Sequence, residues 1–315
     1  MEYNKAIADM MIGDQVEGFY LLKEAAQKTT NAGKPFLTGV IADRTGAMEL
    51  KVWDYNGPIS AADMGKAVKV RATITEFKNA PQLIAGKIRL ATEADGYDTS
   101  ALIPTAPIQA DKAMEYVRNL VESIEDPDYK AVAQTLLDRN AETFQTIPAA
   151  KSVHHGFRNG LLMHTANMLN LADFLADQYQ EVIDRSLLLA GTLLHDMMKC
   201  EEFDFSPLGL VTDYSVKGEL LGHLVMGARA VDAVARELEI PEEKSVLLQH
   251  LILSHHGEPE FGAAVRPMCA EAELLAYIDK LDSRMEIYEE ALKNVPEGAF
   301  SQRIFALEKR IYHHP

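Results

Sequence analysis

Residues 16–90 contain short runs in which apolar and polar side chains alternate, as they do in half-buried β-strands. In residues 47–53, Met48, Leu50 and Val52 share one face, and residues 68–77 repeat this spacing. Residues 36–42 and 81–90 predict further strands, and the turn signal at residues 43–46 separates two of them. The pattern therefore predicts a small all-β barrel of five strands, with a brief helical link at residues 60–64.

Beyond residue 110 the hydrophobic spacing changes to that of amphipathic helices. Helices are predicted at residues 111–123, 128–144, 161–178, 184–198, 217–238, 242–254, 268–291 and 300–312, with Asp111 and Asp128 as caps of the first two. Residues 91–110 lack periodicity and contain Pro104 and Pro107, which indicates a linker. We therefore expect a multi-domain protein: a lead-in segment at 1–15, an OB-fold barrel at 16–90, a linker at 91–110 and an all-α bundle at 111–315.

The bulk composition is that of a globular protein with room for two domains. The chain has 315 residues, of which 47% are hydrophobic and 25% charged. No apolar run approaches the ~20 residues that a membrane helix needs, and residues 1–18 lack an export signal. Two distant cysteines, Cys200 and Cys269, suit reduced thiols better than a disulfide framework. We expect a cytoplasmic protein without a membrane partner.

The net charge of −16 argues at first against nucleic acid, but the charge is unevenly distributed. Residues 16–90 carry eleven Lys and Arg against seven Asp and Glu. Trp53 and Phe77 fall on polar faces of this segment together with Lys51, Lys69 and Arg71. Aromatic rings among cations suit the stacking of unpaired bases, although a β-bulge would instead turn both rings into the core. The pattern favours a single-stranded nucleic acid, RNA or DNA, as a partner.

The helical part contains a series of histidines and aspartates, most of which follow apolar helical runs. Its members are His164, His195, Asp196, His223, His255, His256 and Asp279. A single buried histidine is more often a hydrogen-bonded core residue, but five imidazoles and two carboxylates together indicate a metal centre. Nitrogen and oxygen ligands without thiolate favour Mn²⁺, with Co²⁺ or Fe²⁺ as alternatives, over a structural zinc site.

This ordered series resembles the HD-domain metal-dependent phosphohydrolases, and with the barrel it resembles the YhaM-type 3′→5′ exoribonucleases. The resemblance implies two metal ions, the first held by His164, His195, Asp196 and Asp279. The second would be held by Asp196 with His223, His255 and His256. The catalytic residues implied are Asp196 and Lys199, the lysine stabilising charge on the transition state. Metal-activated hydroxide would attack the last phosphodiester of single-stranded RNA and release a 5′-mononucleotide.

Several expectations depend on weaker signals. His155 and Arg158 precede the His164 helix and could contact the terminal nucleotide, although loop packing explains them equally well. Asp282 lies three residues after Asp279 and could orient a ligand. Members of the resembled family tend to be oligomeric, and the predicted helix at 304–311 could serve a homo-oligomer interface.

Two other functions remain open at this point. The first is a phosphodiesterase or phosphatase acting on a small nucleotide, for which the barrel would be needless. A cyclic-dinucleotide enzyme is disfavoured because the paired histidines are followed by Gly257-Glu258-Pro259 rather than by Gly-Tyr-Pro. The second is a non-catalytic nucleic-acid-binding adaptor, which the full ligand set and Lys199 disfavour.

Overall fold

The computed structural model describes residues 2–77, 80–103, 105–149, 157–206, 209–293 and 295–315. The chain forms two compact units. Unit 1 comprises Met1–Thr105 and Phe205–Thr212, and unit 2 comprises Ala106–Asp204 and Asp213–Pro315. The region expected as a linker is therefore divided between the units, and most of it belongs to unit 1.

Unit 1 contains a closed five-stranded barrel. Its strands are β2 (Gln15–Thr29), β3 (Pro35–Asp43), β4 (Gly46–Trp53), β5 (Ala67–Phe77) and β6 (Ala80–Leu90), preceded by the short β1 (Glu2–Tyr3). The sheet order is β2-β3-β4-β6-β5, and β2 also pairs with β5, which closes the barrel. The β4–β6 pair is parallel and the other four pairs of the barrel are antiparallel. This topology is the OB-fold, so the predicted fold class is confirmed.

The alternation of the sequence places the apolar face of each strand inside the barrel. Leu50, Val68 and Val70 are fully buried, and Met48 and Val52 are nearly so. Residues before β2 contribute as well. Ile7, in a single 3₁₀ turn, and Met10 pack into the same core, whereas Met11 is exposed.

The region expected as a linker folds onto the barrel in its first half. Leu102 and Ile103 are buried in a second apolar cluster with Phe19 and Leu21 of β2. These two residues lie beside a 3₁₀ turn, Thr99–Ala101, and are too few to give a periodic signal.

Unit 2 is helical, as the spacing predicts. Its helices are α1 (Ala110–Glu122), α2 (Pro127–Thr146), α3 (Gly160–Gln178), α4 (Arg185–Leu194), α5 (Lys199–Glu202), α6 (Val216–Glu237), α7 (Glu242–Ser254) and α8 (Ala270–Leu292). The residue that caps α2 is Asp126, whose carboxylate accepts from the Asp128 and Tyr129 amides, with Pro127 in the first turn. The two predicted caps, Asp111 and Asp128, lie inside first turns instead.

Two segments differ from the helical expectation. The run predicted at 184–198 ends at Leu194, and α5 begins after a turn; a short hairpin of β7 (Phe203–Phe205) and β8 (Val211–Tyr214) follows. The predicted helix at 300–312 is wrong. Phe300 bridges Tyr312 in an antiparallel hairpin, and Glu308 has a φ of +56°, which reverses the chain and cannot continue a helix.

None of the helices in the described part of the chain is both long and apolar enough to cross a membrane.

Candidate metal centre

Helices α3 and α8 position the first candidate ligand. His164, 2% exposed, lies in the second turn of α3, and its Nδ1 is 2.7 Å from Oδ2 of Asp282. The Nε2 atom of His164 is 3.4 Å from Oδ1 of Asp279, one turn before Asp282 on α8. The Asp282 carboxylate accepts the Nδ1 proton, so Nε2, on the side of Asp279, is the nitrogen that a metal ion could bind.

The turn after α4 places His195 and Asp196 at the middle of unit 2. Nδ1 of His195 donates to the carbonyl of Thr192 at 2.7 Å, which again leaves Nε2 as the free nitrogen. Oδ2 of Asp196 lies 3.4 Å from Nε2 of His195 and 3.9 Å from Nε2 of His164. Lys199 donates to the same oxygen at 2.6 Å. The end of the predicted helix at Leu194 thus brings the His-Asp pair and the lysine into one place.

The other carboxylate oxygen of Asp196 faces a second group of histidines. Oδ1 of Asp196 is 3.4 Å from Nε2 of His223 and 3.7 Å from Nε2 of His255. Nδ1 of His255 donates to the Ile252 carbonyl at 2.8 Å. The rings of His255 and His256 are 4.2 Å apart between centroids. Asp196 therefore faces both groups, one with each oxygen.

Glu202 contacts a candidate ligand, and the sequence alone did not indicate it. Its Oε1 accepts from the backbone N–H of His223 at 2.9 Å and from Nδ1 of the same histidine at 3.0 Å. Gly222, with a φ of +68°, kinks α6 immediately before His223, a conformation that favours glycine. The sequence offers two adjacent glutamates, and nothing in it distinguishes the buried Glu202 from the exposed Glu201.

The unpartnered atoms of the cluster test whether the residues suit metal ions. Five buried ligand atoms have no hydrogen-bond partner among the described residues: His195 Nε2, Asp196 Oδ1, His223 Nε2, His255 Nε2 and His256 Nδ1. Two sets have ligand atoms within 4.8 Å of one another, namely His164 with His195 and Asp196, and His223 with His255 and His256. Buried polar atoms without partners are costly, and a cation at each set would satisfy them. The residues therefore fit two divalent ions.

The electrostatics favour cations over protons in the second set. Burial lowers the pKa of His255 well below its usual value and also lowers that of His256, so both rings are neutral and could serve as ligands. Burial opposes ionisation of Asp196, but Lys199 and His195 hold the pKa of this carboxyl well below its usual range. At His164, burial opposes protonation, yet the Asp279 and Asp282 carboxylates raise its pKa to about 9. That ring thus faces a negative environment that a metal ion would neutralise.

Three of the predicted nucleic-acid residues of the barrel, Trp53, Phe77 and Lys51, lie close together. Trp53 and Phe77 are 49% and 44% exposed, so neither ring is a core residue, and Lys51 lies over both rings. Phe36, which the sequence reasoning missed, has its ring 5.3 Å from that of Trp53.

Other predicted contacts differ from this cluster. Lys69 and Arg71, on β5, both pair with Glu17, which offsets part of their charge. Arg158 accepts from the Ala106 N–H through its backbone carbonyl. It is not among the described residues that line the metal-centre cavity. His155 lies outside the described residues.

Comparisons with known proteins agree with this geometry. Residues 161–284 match the HD domain family. The chain is 37% identical over 305 residues to the 3′-5′ exoribonuclease YhaM of Bacillus velezensis, covering 96% of each chain. It belongs to the YhaM family. The Bacillus subtilis YhaM is 36% identical over 306 residues, again with 96% of each chain covered.

All seven candidate ligands of this YhaM-family chain lie inside the HD match, and the barrel residues lie outside it. A replication protein A domain from Methanococcus maripaludis is 12% identical, with a TM-score of 0.25, and covers 28% of this chain and 94% of its own. The OB-fold of the barrel is identified by its closed strand order rather than by that score.

Proposed function

We propose that this YhaM-family protein is a metal-dependent 3′→5′ exoribonuclease that releases 5′-mononucleotides from single-stranded RNA. The observation that carries the proposal is the set of buried, unpartnered nitrogen and oxygen atoms around Asp196. The family membership and the barrel in the same chain support RNA, rather than a small nucleotide, as the substrate.

Two sets of residues would hold the ions. His164, His195, Asp196 and Asp279 form the first set, and Asp196 with His223, His255 and His256 forms the second. Neutral imidazoles and carboxylates without thiolate suit Mn²⁺ best, with Co²⁺ and Fe²⁺ as alternatives. Two divalent ions bound there would lower the pKa of water and neutralise phosphoryl oxygens.

Hydrolysis forms a bond from a water oxygen to phosphorus and breaks the bond from phosphorus to the 3′ oxygen of the preceding nucleotide, which takes up a proton. Lys199 places a cation at this centre, since its ammonium contacts Oδ2 of Asp196. Burial opposes the charge, but Asp196 raises the pKa of Lys199, so the ammonium persists beside the phosphate. Lys199 then stabilises the charge that develops on the phosphoryl oxygens. Asp282 and Glu202 fix the rings of His164 and His223.

The barrel would hold the RNA upstream of the cleaved end. Trp53 and Phe77 offer exposed rings for base stacking, while Lys51, Lys69 and Arg71 face the phosphates. Stacking and phosphate contacts do not require a 2′-hydroxyl, so we propose that single-stranded DNA is a second substrate.

We also propose a cytoplasmic homo-oligomer. Tyr277, Leu281 and Met285 form an exposed apolar stripe on α8, with spacings of four residues, which suits an interface between copies. Free thiols at Cys200 and Cys269 would suit a reducing compartment. Light scattering coupled to gel filtration tests the assembly, and Leu281→Lys should shift it toward the monomer.

The function is tested with RNA labelled at either end. With Mn²⁺, 3′-labelled RNA should release labelled mononucleotide at once, while 5′-labelled RNA shortens one nucleotide at a time. Asp196→Ala should abolish both changes, because both metal sets lose a ligand. Undiminished RNA degradation by that variant would show that the catalytic centre lies elsewhere.

A further inference from the structure

The metal centre opens into a cavity of about 430 Å³ inside unit 2, a size within the range of small-ligand sites. Candidate metal ligands line one part of it, together with Lys199. The remaining wall contains three side chains that are not candidate metal ligands, namely Phe261, Lys280 and Arg284, together with several apolar residues. The metal centre and the two further cations suit the phosphate of a nucleotide, and the aromatic ring suits its base.

Lys280 directly follows Asp279 on α8, and Arg284 lies one helical turn further along. Because they are four residues apart, these two cations share a side of that helix. Within the described part of the chain, neither forms an ion pair with an acidic side chain, although the protein as a whole is strongly acidic. The Nζ atom of Lys280 lies 5.3 Å from the centroid of the Phe261 ring. Two cations without acidic partners beside a phosphodiester-cleaving centre point to a bound phosphate.

Phe261 presents a ring at this wall on a well-defined turn. It is 61% exposed and ends the 3₁₀ turn Pro259–Phe261, where its N–H donates to the Glu258 carbonyl at 2.9 Å. Gly262 follows with a φ of +104°, and a Cβ at that position would lie 3.1 Å from Nδ1 of His256. The backbone of the turn is therefore packed against His256, a candidate metal ligand, and this places Phe261 in the wall of the cavity.

We infer that Phe261, Lys280 and Arg284 form the subsite for the 3′-terminal nucleotide. The base of that nucleotide stacks on Phe261, and the two cations bind the phosphate that leaves with it. This inference rests on the proposed function, because it assumes that the terminal phosphodiester lies at the metal centre. It assigns terminal-base recognition to the helical unit, separately from the stacking rings of the barrel.

Two RNA substrates that differ only in their last nucleotide test the inference, one ending in a normal nucleotide and the other in an abasic ribose. For the wild-type protein, KM for removal of the first nucleotide should be higher on the abasic RNA by roughly five- to a hundred-fold. Phe261→Ala should raise KM on the normal RNA and bring the ratio of the two KM values toward one. Phe261→Trp should retain the ratio, because an indole also stacks.

Phe174→Ala is the matched control, because Phe174 is also 61% exposed and lies in unit 2 on α3, away from the cavity lining. It should keep the wild-type KM ratio. Lys280→Met and Arg284→Met should raise KM on both RNAs alike, since both substrates carry the terminal phosphate.

The outcomes separate the inference from the function beneath it. If Phe261→Ala leaves the ratio of the two KM values unchanged, whether or not both KM values rise, the inference is overturned. The proposed function still stands in that case, provided that the wild-type protein releases the terminal nucleotide. Absence of any nucleotide release by the wild-type protein overturns both.

Discussion

Asp282 gives a sharp test of the metal centre because it contacts a ligand without being one. It is 8% exposed, its Oδ2 is 2.7 Å from Nδ1 of His164, and its Oδ1 accepts from Asn167 at 3.1 Å. Asp282→Asn keeps the shape and removes the charge. An amide oxygen can still accept the Nδ1 proton, so the ring is retained with a weaker orienting bond.

The size of the effect follows from the change in that bond. A hydrogen bond to a charged group contributes roughly 1.5–3 kcal/mol, against about 0.5–1.5 kcal/mol for a neutral one. Loss of such a partner typically reduces metal affinity by about 10- to 100-fold, or about 1.4–2.7 kcal/mol. We therefore expect Asp282→Asn to raise the Mn²⁺ concentration for half-maximal activity by that factor, with kcat at saturating Mn²⁺ much less affected.

The assay is the initial rate of mononucleotide release at Mn²⁺ concentrations spanning several orders of magnitude. Asp138→Asn is the control, since its side chain is 63% exposed and pairs only with Arg118 at the surface among the described residues. A titration curve that superimposes on that of the wild type would refute the reasoning. So would a loss of activity that no Mn²⁺ concentration restores, because Asp282 would then act other than through His164.

Three further predictions follow from the same geometry. Trp53→Ala should raise KM for long single-stranded RNA by roughly five- to a hundred-fold, because base stacking contributes about 1–3 kcal/mol. The KM for a dinucleotide should not change. Equal effects on both substrates would contradict a role upstream of the cleaved end. Chelation of metal with EDTA should lower the Tm, since an ion at a free concentration of a hundred times its Kd stabilises the folded state by about 2.7 kcal/mol. Excess Mn²⁺ should restore the Tm. A Tm that changes with neither addition would argue against a resident metal. In the chelated protein, burial opposes protonation of His164, but its two carboxylates raise its pKa from 6.5 to about 9. The stabilisation from this pair is therefore complete below pH 6.5 and is lost as pH rises through about 9. Urea unfolding should show a free energy of unfolding that declines over this interval, and a rise would reverse the sign of the assignment.

The barrel and the metal cluster were accessible from sequence for different physical reasons. Barrel strands have one face in the core and one outside, so the alternation at Met48, Leu50 and Val52 directly records the fold. Most of the candidate metal ligands lie on or next to apolar helices, where an imidazole or carboxylate is conspicuous. His195 and Asp196 stand out because they follow nine buried positions, residues 186–194.

Other features left no such record. Glu202 looks like any surface glutamate in the sequence, and its burial depends on the kink at Gly222 in another helix. The hairpin at 300–312 buries Leu307 and Ile311 at a spacing of four, which also suits a helix. The antiparallel bridges and the positive φ of Glu308 distinguish the hairpin from a helix, and neither is encoded in hydrophobic spacing.

The cavity wall extends past the segment that carries the metal ligands. The HD match ends at residue 284, yet Ile287 and Ala306 line the same cavity. Ala306 is held there by the tip of the C-terminal hairpin, whose residues Leu307 and Ile311 are buried. A fragment that ends at residue 284 would thus retain every proposed metal ligand and both cations of the proposed subsite. It would lose the part of the cavity wall that Ile287 and Ala306 form.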